Sequence, residues 1–177
     1  MGKQEIKIVF AGPVGAGKTT AIGTISDVQV VGTEAIATDD TALIKPTTTV
    51  ALDYGEVAVD DDLILRLYGT PGQARFAHMW PIVSRGALGI VLLIDNSRRH
   101  PLADFNFYLD HFGPYARESA LIVGITKSEL GTTAMDDYHA ILAERGEIYP
   151  LMSIDPRSRE DVLMLLDSLF TLLEDQP

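Results

Sequence analysis

The sequence predicts an α/β domain of three layers, a mostly parallel six-stranded sheet with one antiparallel edge strand and helices on both faces. Short apolar runs alternate with helically spaced apolar residues from one end of the chain to the other. Two of the runs, Gly89 to Asp95 and Ala120 to Ile125, are continuous, as in parallel strands buried on both sides. The length of 177 residues fits a single domain over residues 1–177.

In order, Ile6 to Ala11 reads as a first strand, stopped by Gly12-Pro13, and a short helix begins near Gly17. Residues 26–49 are polar and turn-rich and read as a long functional loop. Val50 to Val59 and Leu63 to Tyr68 flank Asp60-Asp61-Asp62 as a hairpin. Leu102, Phe105, Leu109 and Phe112 mark a helix between the two buried strands. A further helix is expected from Ala134 to Ala143, then a short strand over Ile148 to Met152. The last helix carries Val162, Leu163, Leu165, Leu166, Leu169, Phe170 and Leu173 on one side. Its start, Ser158-Arg159-Glu160-Asp161, resembles a capping box.

Asp plus Glu number 25 against 14 Lys plus Arg, a net charge of −11, which argues against a nucleic-acid binder and against a polybasic grip on an anionic membrane. Cysteine is absent, so disulfides, thiolate nucleophiles, cysteine-ligated metals and prenyl or palmitoyl anchors are excluded. The longest apolar run, Ala87 to Ile94, is far shorter than the roughly 20 residues of a membrane span. No signal-peptide pattern opens the chain, and Ile6 stands where myristoylation needs Ser or Thr. The expectation is a cytoplasmic protein with no membrane anchor of its own.

Gly12-Pro13-Val14-Gly15-Ala16-Gly17-Lys18-Thr19 fits G-x-x-x-x-G-K-[ST] between a strand and a helix, the context that a phosphate-binding loop requires. Its backbone N–H groups would face phosphate oxygens, Lys18 would add positive charge at the β and γ positions, and the helix start would add its dipole. The Thr19 hydroxyl suits magnesium, and Thr20 is placed for the α-phosphate. The ligand expected is a nucleoside triphosphate.

The remaining segments match one family in order. Gly69-Thr70-Pro71-Gly72-Gln73-Ala74-Arg75-Phe76 resembles switch II of Ras-like small GTPases, and Ser84 to Asp95 resembles the Rab-type run through the fourth strand. Thr126-Lys127-Ser128-Glu129 occupies the place of the guanine-reading N-K-x-D, and Ser153-Ile154-Asp155 that of the S-A-K loop. The likeness extends over nearly the whole chain and is nearest to bacterial Ras-like GTPases of the gliding-motility polarity type, which are often paired with roadblock-domain proteins.

The resemblance implies a P-loop (Ras-like) fold and a slow, magnesium-dependent GTP hydrolysis to GDP and phosphate. It implies effectors bound through the switch I and switch II loops, with a roadblock-type dimer as a candidate partner. It makes Gln73 the residue that orients the attacking water and Gly72 a contact of the γ-phosphate. Thr126, Lys127 and Glu129 would read the base, with Ser153 and Ile154 beside it. Thr49 is the favoured switch I ligand to magnesium, with Thr47 as its rival and Thr48 between them.

Three positions depart from the family pattern. Gly69 replaces the aspartate that holds magnesium through water, leaving Thr19 and the switch I threonine, with Asp53 or Asp95 as more distant helpers. Thr126 and Glu129 replace asparagine and aspartate, so guanine selection should weaken. Val14 replaces a glycine and should slow intrinsic hydrolysis, whose unassisted scale is on the order of 10⁻⁴ s⁻¹. No arginine lies between residues 26 and 49 to act in cis, which leaves a partner's arginine, Arg75 after rearrangement, or none.

Two other readings stand beside the switch: a nucleotide-holding scaffold with negligible hydrolysis, and a small-molecule kinase. The kinase would leave the P-G-Q segment without a role. His78, His100, His111 and His139 show no metal-binding spacing. Trp80 is expected either in an effector surface or in the core.

Overall fold

A computed structural model describes residues 2–35 and 50–175. The described chain is α/β, with helices on both faces of one seven-stranded sheet of order β2-β3-β4-β1-β5-β6-β7. The strands are β1 (Gln4–Ala11), β2 (Val31–Ala35), β3 (Val50–Ala58), β4 (Leu63–Gly69), β5 (Gly89–Asp95), β6 (Ala120–Thr126) and β7 (Leu151–Ser153). The helices are α1 (Lys18–Ile25), α2 (Trp80–Ser84), α3 (Pro101–Phe112), α4 (Met135–Arg145) and α5 (Arg159–Glu174).

The expected three-layer class holds, with two differences. The segment read as a loop contains β2, a seventh strand that lies antiparallel on β3 with Val31 opposite Tyr54. The antiparallel strand β3 is therefore interior, flanked by β2 and by β4. Val31-Gly32-Thr33-Glu34-Ala35 lacks a long apolar alternation because it is an edge strand, whose ladder needs backbone groups more than a buried face.

Alternation along β5 divides the core. Val91 and Leu93 face α1 and α5 with Ile22, Ile25, Val162, Leu165 and Leu169. Ile90, Leu92 and Ile94 face α3 and α4 with Phe105, Leu109, Tyr138 and Leu142. Every residue of β5 and β6 is buried, which is why both read as unbroken apolar runs. On α5, Leu163 points outward at 39% exposure, so the apolar side is narrower than the sequence suggests. Strand β7 is shorter and later than Ile148 to Met152; Ile148 stands 96% exposed in the preceding loop.

Half of the expected capping box forms. Ser158 Oγ accepts the Asp161 amide at 3.2 Å, while the Asp161 carboxylate accepts the Asp155 amide at 2.8 Å instead of closing back on Ser158. The acidic side chain thus fixes the loop between β7 and α5. No described helix is long and apolar enough to cross a membrane.

Candidate functional site

The loop between β1 and α1 folds as the motif requires. Gly12 leaves β1 at φ 138°, and an added Cβ would stand 2.0 Å from the Leu93 carbonyl oxygen of β5, so only glycine fits. Lys18 opens α1, is buried, and donates through Nζ to the Gly12 and Pro13 carbonyls at 2.5 and 2.8 Å. Burial pulls the Lys18 ammonium down to about 8; the nearby Asp53 carboxylate opposes this and the Arg98 charge adds to it. Ala16 is buried under the loop, whereas Val14, Gly15, Thr19 and Thr20 face outward.

Asp53 does more than a distant helper would. It lies on β3 directly across from Gly69 of β4, and its carboxylate accepts the Thr19 hydroxyl. A Cβ at Gly69 would come within 3.1 Å of the Asp53 Cβ and 3.2 Å of its Oδ2. Asp53 thus places a carboxylate beside Thr19, in space that Gly69 leaves open. In sequence Asp53 and Asp95 stood as equal alternatives; the register of β3 on β4 decides for Asp53. Asp95 stays away from Thr19: its Oδ1 accepts from Ser97 N and Oγ, and its Oδ2 pairs with Lys127.

A hydroxyl and a carboxylate are hard oxygen donors of the kind magnesium takes, with phosphates and waters completing its octahedron. Among the described residues no three His, Cys, Asp or Glu gather as a protein-only metal cage. Thr47, Thr48 and Thr49, the expected switch I ligands, lie outside the described residues.

The Pro71-Gly72-Gln73 turn packs on the loop crest. A Cβ on Gly72 would stand 2.5 Å from the Val14 amide nitrogen and 2.7 Å from Lys18 Nζ, so this glycine is required for close approach. Two buried aromatic residues hold the turn from behind: Tyr108 donates to the Gly72 carbonyl and Trp80 to the Pro71 carbonyl, each at 2.8 Å. Trp80 belongs to the core, 1% exposed among Tyr108, Phe107, His111 and Phe112. The side chain of Gln73 is exposed at the start of the following 3₁₀ turn.

On the other side of the loop is a cleft of about 350 Å³, lined by Gly15, Gly17, Thr20, Lys127, Glu129, Leu130, Ile154, Asp155, Pro156 and Arg157. Thr126 is fully buried and donates to the Ala16 carbonyl at 2.8 Å, bracing the phosphate loop from β6. Lys127 is the one described non-glycine residue at positive φ, 53°, a conformation that costs on the order of 1–2 kcal/mol. Its Nζ is held by the Gly15 carbonyl at 2.8 Å and by Asp95 at 2.9 Å. The Glu129 carboxylate is exposed at the cleft and accepts no hydrogen bond among the described residues. Ser153 does not line the cleft; its hydroxyl meets that of Ser128 at 2.7 Å, tying the two loops together. Leu130, Pro156 and Arg157 were not singled out in sequence, since only the approach of three loops makes them neighbours.

A family model described as "Conserved hypothetical ATP binding protein" matches residues 29–175, a stretch that begins after the phosphate loop. The chain is also 31% identical over 99 residues to the uncharacterized protein MJ1339 of Methanocaldococcus jannaschii, a match covering 55% of this chain and 56% of that protein. With a phosphate loop in its structural context and a family match over most of its length, this chain belongs to the conserved hypothetical ATP-binding protein family and is a nucleotide-binding protein of P-loop type.

Proposed function

We propose that the protein is a magnesium-dependent GTPase acting as a molecular switch, in which Gly72 and Gln73 follow the state of the γ-phosphate. The observation that carries this reading is the meeting of Gly72, Val14 and Lys18 at the crest of the phosphate loop. A γ-phosphate beside Lys18 would accept the Gly72 amide, and its loss would release the turn. Gln73 is the residue assigned to orient the attacking water. Thr19 and Asp53 would hold the magnesium ion, which supplies charge neutralisation at the phosphates when bound. Effectors would dock where the Pro71-to-Phe76 segment changes shape, and a roadblock-type dimer remains the candidate regulator.

Guanine is favoured by Glu129. A carboxylate at the cleft can accept the N1–H and 2-amino hydrogens of guanine, whereas adenine presents an acceptor on that edge. The family description names ATP, and adenine is the second reading on that ground.

Titration of GTP, GDP and ATP, each with and without magnesium, followed by single-turnover phosphate release, tests both points. Tighter GTP binding that weakens about tenfold or more in Glu129→Ala supports guanine; tight ATP binding without GTP binding refutes it. Gln73→Leu should lower hydrolysis at least about tenfold with binding retained. Absence of phosphate release with either triphosphate would leave a nucleotide-holding scaffold.

A further inference from the structure

Residues 26–49 contain no arginine, yet the fold brings one to the phosphate loop from another segment. Arg98 stands in the turn after β5. Asp95 Oδ1 accepts Ser97 N at 2.9 Å and Ser97 Oγ at 2.5 Å, and the Asp95 carbonyl accepts Arg98 N at 3.3 Å. This turn carries the Arg98 side chain to the crest of the loop, where Nη1 lies 3.5 Å from the Val14 carbonyl oxygen. Asp104, in the first turn of α3, accepts from Arg98 Nε at 2.6 Å and fixes the guanidinium from the opposite side.

A guanidinium has five N–H donors. Two are engaged here, and the other three make no hydrogen bond among the described residues, although the side chain is 42% exposed. Val14 joins the two halves of the site: its amide faces Gly72, and its carbonyl faces Arg98. Arg98 therefore stands across a single residue, Val14, from the point where Gly72, Val14 and Lys18 meet. Its charge is felt at Lys18, where it adds to the dominant effect of burial. Neither neighbouring arginine is so placed. Arg75 lies over the Phe76 ring at 4.7 Å, and Arg99 is exposed with no ion pair among the described residues.

We propose that Arg98 is the catalytic arginine of this site, supplied in cis to the transferring phosphoryl group; this rests on the hydrolase reading above. In hydrolysis the water oxygen bonds to the γ-phosphorus as the bond from that phosphorus to the bridging oxygen breaks. The electron pair remains on the diphosphate leaving group, and the proton of the water ends on inorganic phosphate. The three unused donors of Arg98 stabilise the charge that gathers on the bridging and γ oxygens, as a planar fork does better than a point charge. The Asp104 ion pair pre-orients that fork, which removes the need for a second protein to insert one.

The full chain, loaded with magnesium and the triphosphate it binds, is assayed for single-turnover phosphate release as wild type, Arg98→Ala, Arg98→Lys and Arg99→Ala. Arg98→Ala should lower the rate by about 100-fold or more, and Arg98→Lys, which keeps the charge and a partner for Asp104, by about tenfold. Arg99→Ala should stay within about twofold and nucleotide affinity within about threefold throughout. With the diphosphate bound, wild type should capture aluminium fluoride with no other protein present, and Arg98→Ala should not. Equal hydrolysis, or equal fluoride capture, by wild type and Arg98→Ala overturns the proposal while leaving the hydrolase reading in place. Should Arg98→Ala fail to fold, a full wild-type rate in Arg98→Lys overturns it instead. A wild type that releases no phosphate from either triphosphate refutes the hydrolase reading and this proposal with it.

Discussion

Lys18 shows what one buried charge imposes on the chain. Its folded-state pKa of about 8 lies below the ordinary 10.5, so between those values the folded chain binds fewer protons than the unfolded one. Stability of the nucleotide-free protein therefore rises as pH climbs from about 8 toward 10.5, and thermal unfolding across that window should show it. A phosphate beside the ammonium restores its charged form, so nucleotide binding above pH 8 takes up a proton. Affinity should fall by up to about tenfold per pH unit above that point, which calorimetry in buffers of different ionisation enthalpy can read. Asp53 gives a second expectation at this scale. Asp53→Ala should weaken magnesium-dependent nucleotide binding by about tenfold. The double substitution Asp53→Ala with Gly69→Asp should recover part of it, because the two side chains occupy the same space. Gly69→Asp alone would press two carboxylates together and should destabilise the fold.

Between the elements, the contact that matters most joins α3 to the Pro71-Gly72-Gln73 turn. Tyr108 is 3% exposed, and burial raises its pKa, so its hydroxyl stays protonated and donates to the Gly72 carbonyl. Tyr108→Phe should cost about 1 kcal/mol in denaturant unfolding and loosen the turn. The chain has one tryptophan, Trp80, and its indole holds the next carbonyl along, so intrinsic fluorescence reports the turn directly. A change in emission between the diphosphate and a non-hydrolysable triphosphate is expected, reduced in Tyr108→Phe. Identical spectra in all states would show that the turn does not follow the nucleotide. On the opposite face, Leu169 of α5 is fully buried beside Gly89, and Leu169→Ala should cost about 2–5 kcal/mol by leaving a cavity.

Over the whole molecule, a net charge of −11 repels the polyanion that the site is built to hold. Lys18, Arg98 and Lys127 gather at one loop, two of them paired with Asp104 and Asp95, while the chain as a whole is acidic. The association rate of a magnesium nucleotide should accordingly rise as ionic strength goes from low values to about 0.2 M, since the Debye length falls below about 10 Å; stopped-flow mixing measures it. The layered α/β class, the two buried central strands, the helical faces and the phosphate loop were legible in the residues, because hydrophobic period and glycine spacing are local signals. Strand β2 was not, since an edge strand needs no apolar stripe. The site divides in the same way. Gly12 to Thr19 follows from sequence alone, whereas the pairing of Asp53 with Thr19, the Tyr108 bond to Gly72 and the reach of Arg98 to Val14 join residues 34, 36 and 84 positions apart. Sequence determined which groups are available to bind phosphate, because backbone conformation there is set within eight residues. Tertiary structure decided which carboxylate and which arginine accompany them, because strand register and one turn after β5 fix distances that no local pattern encodes.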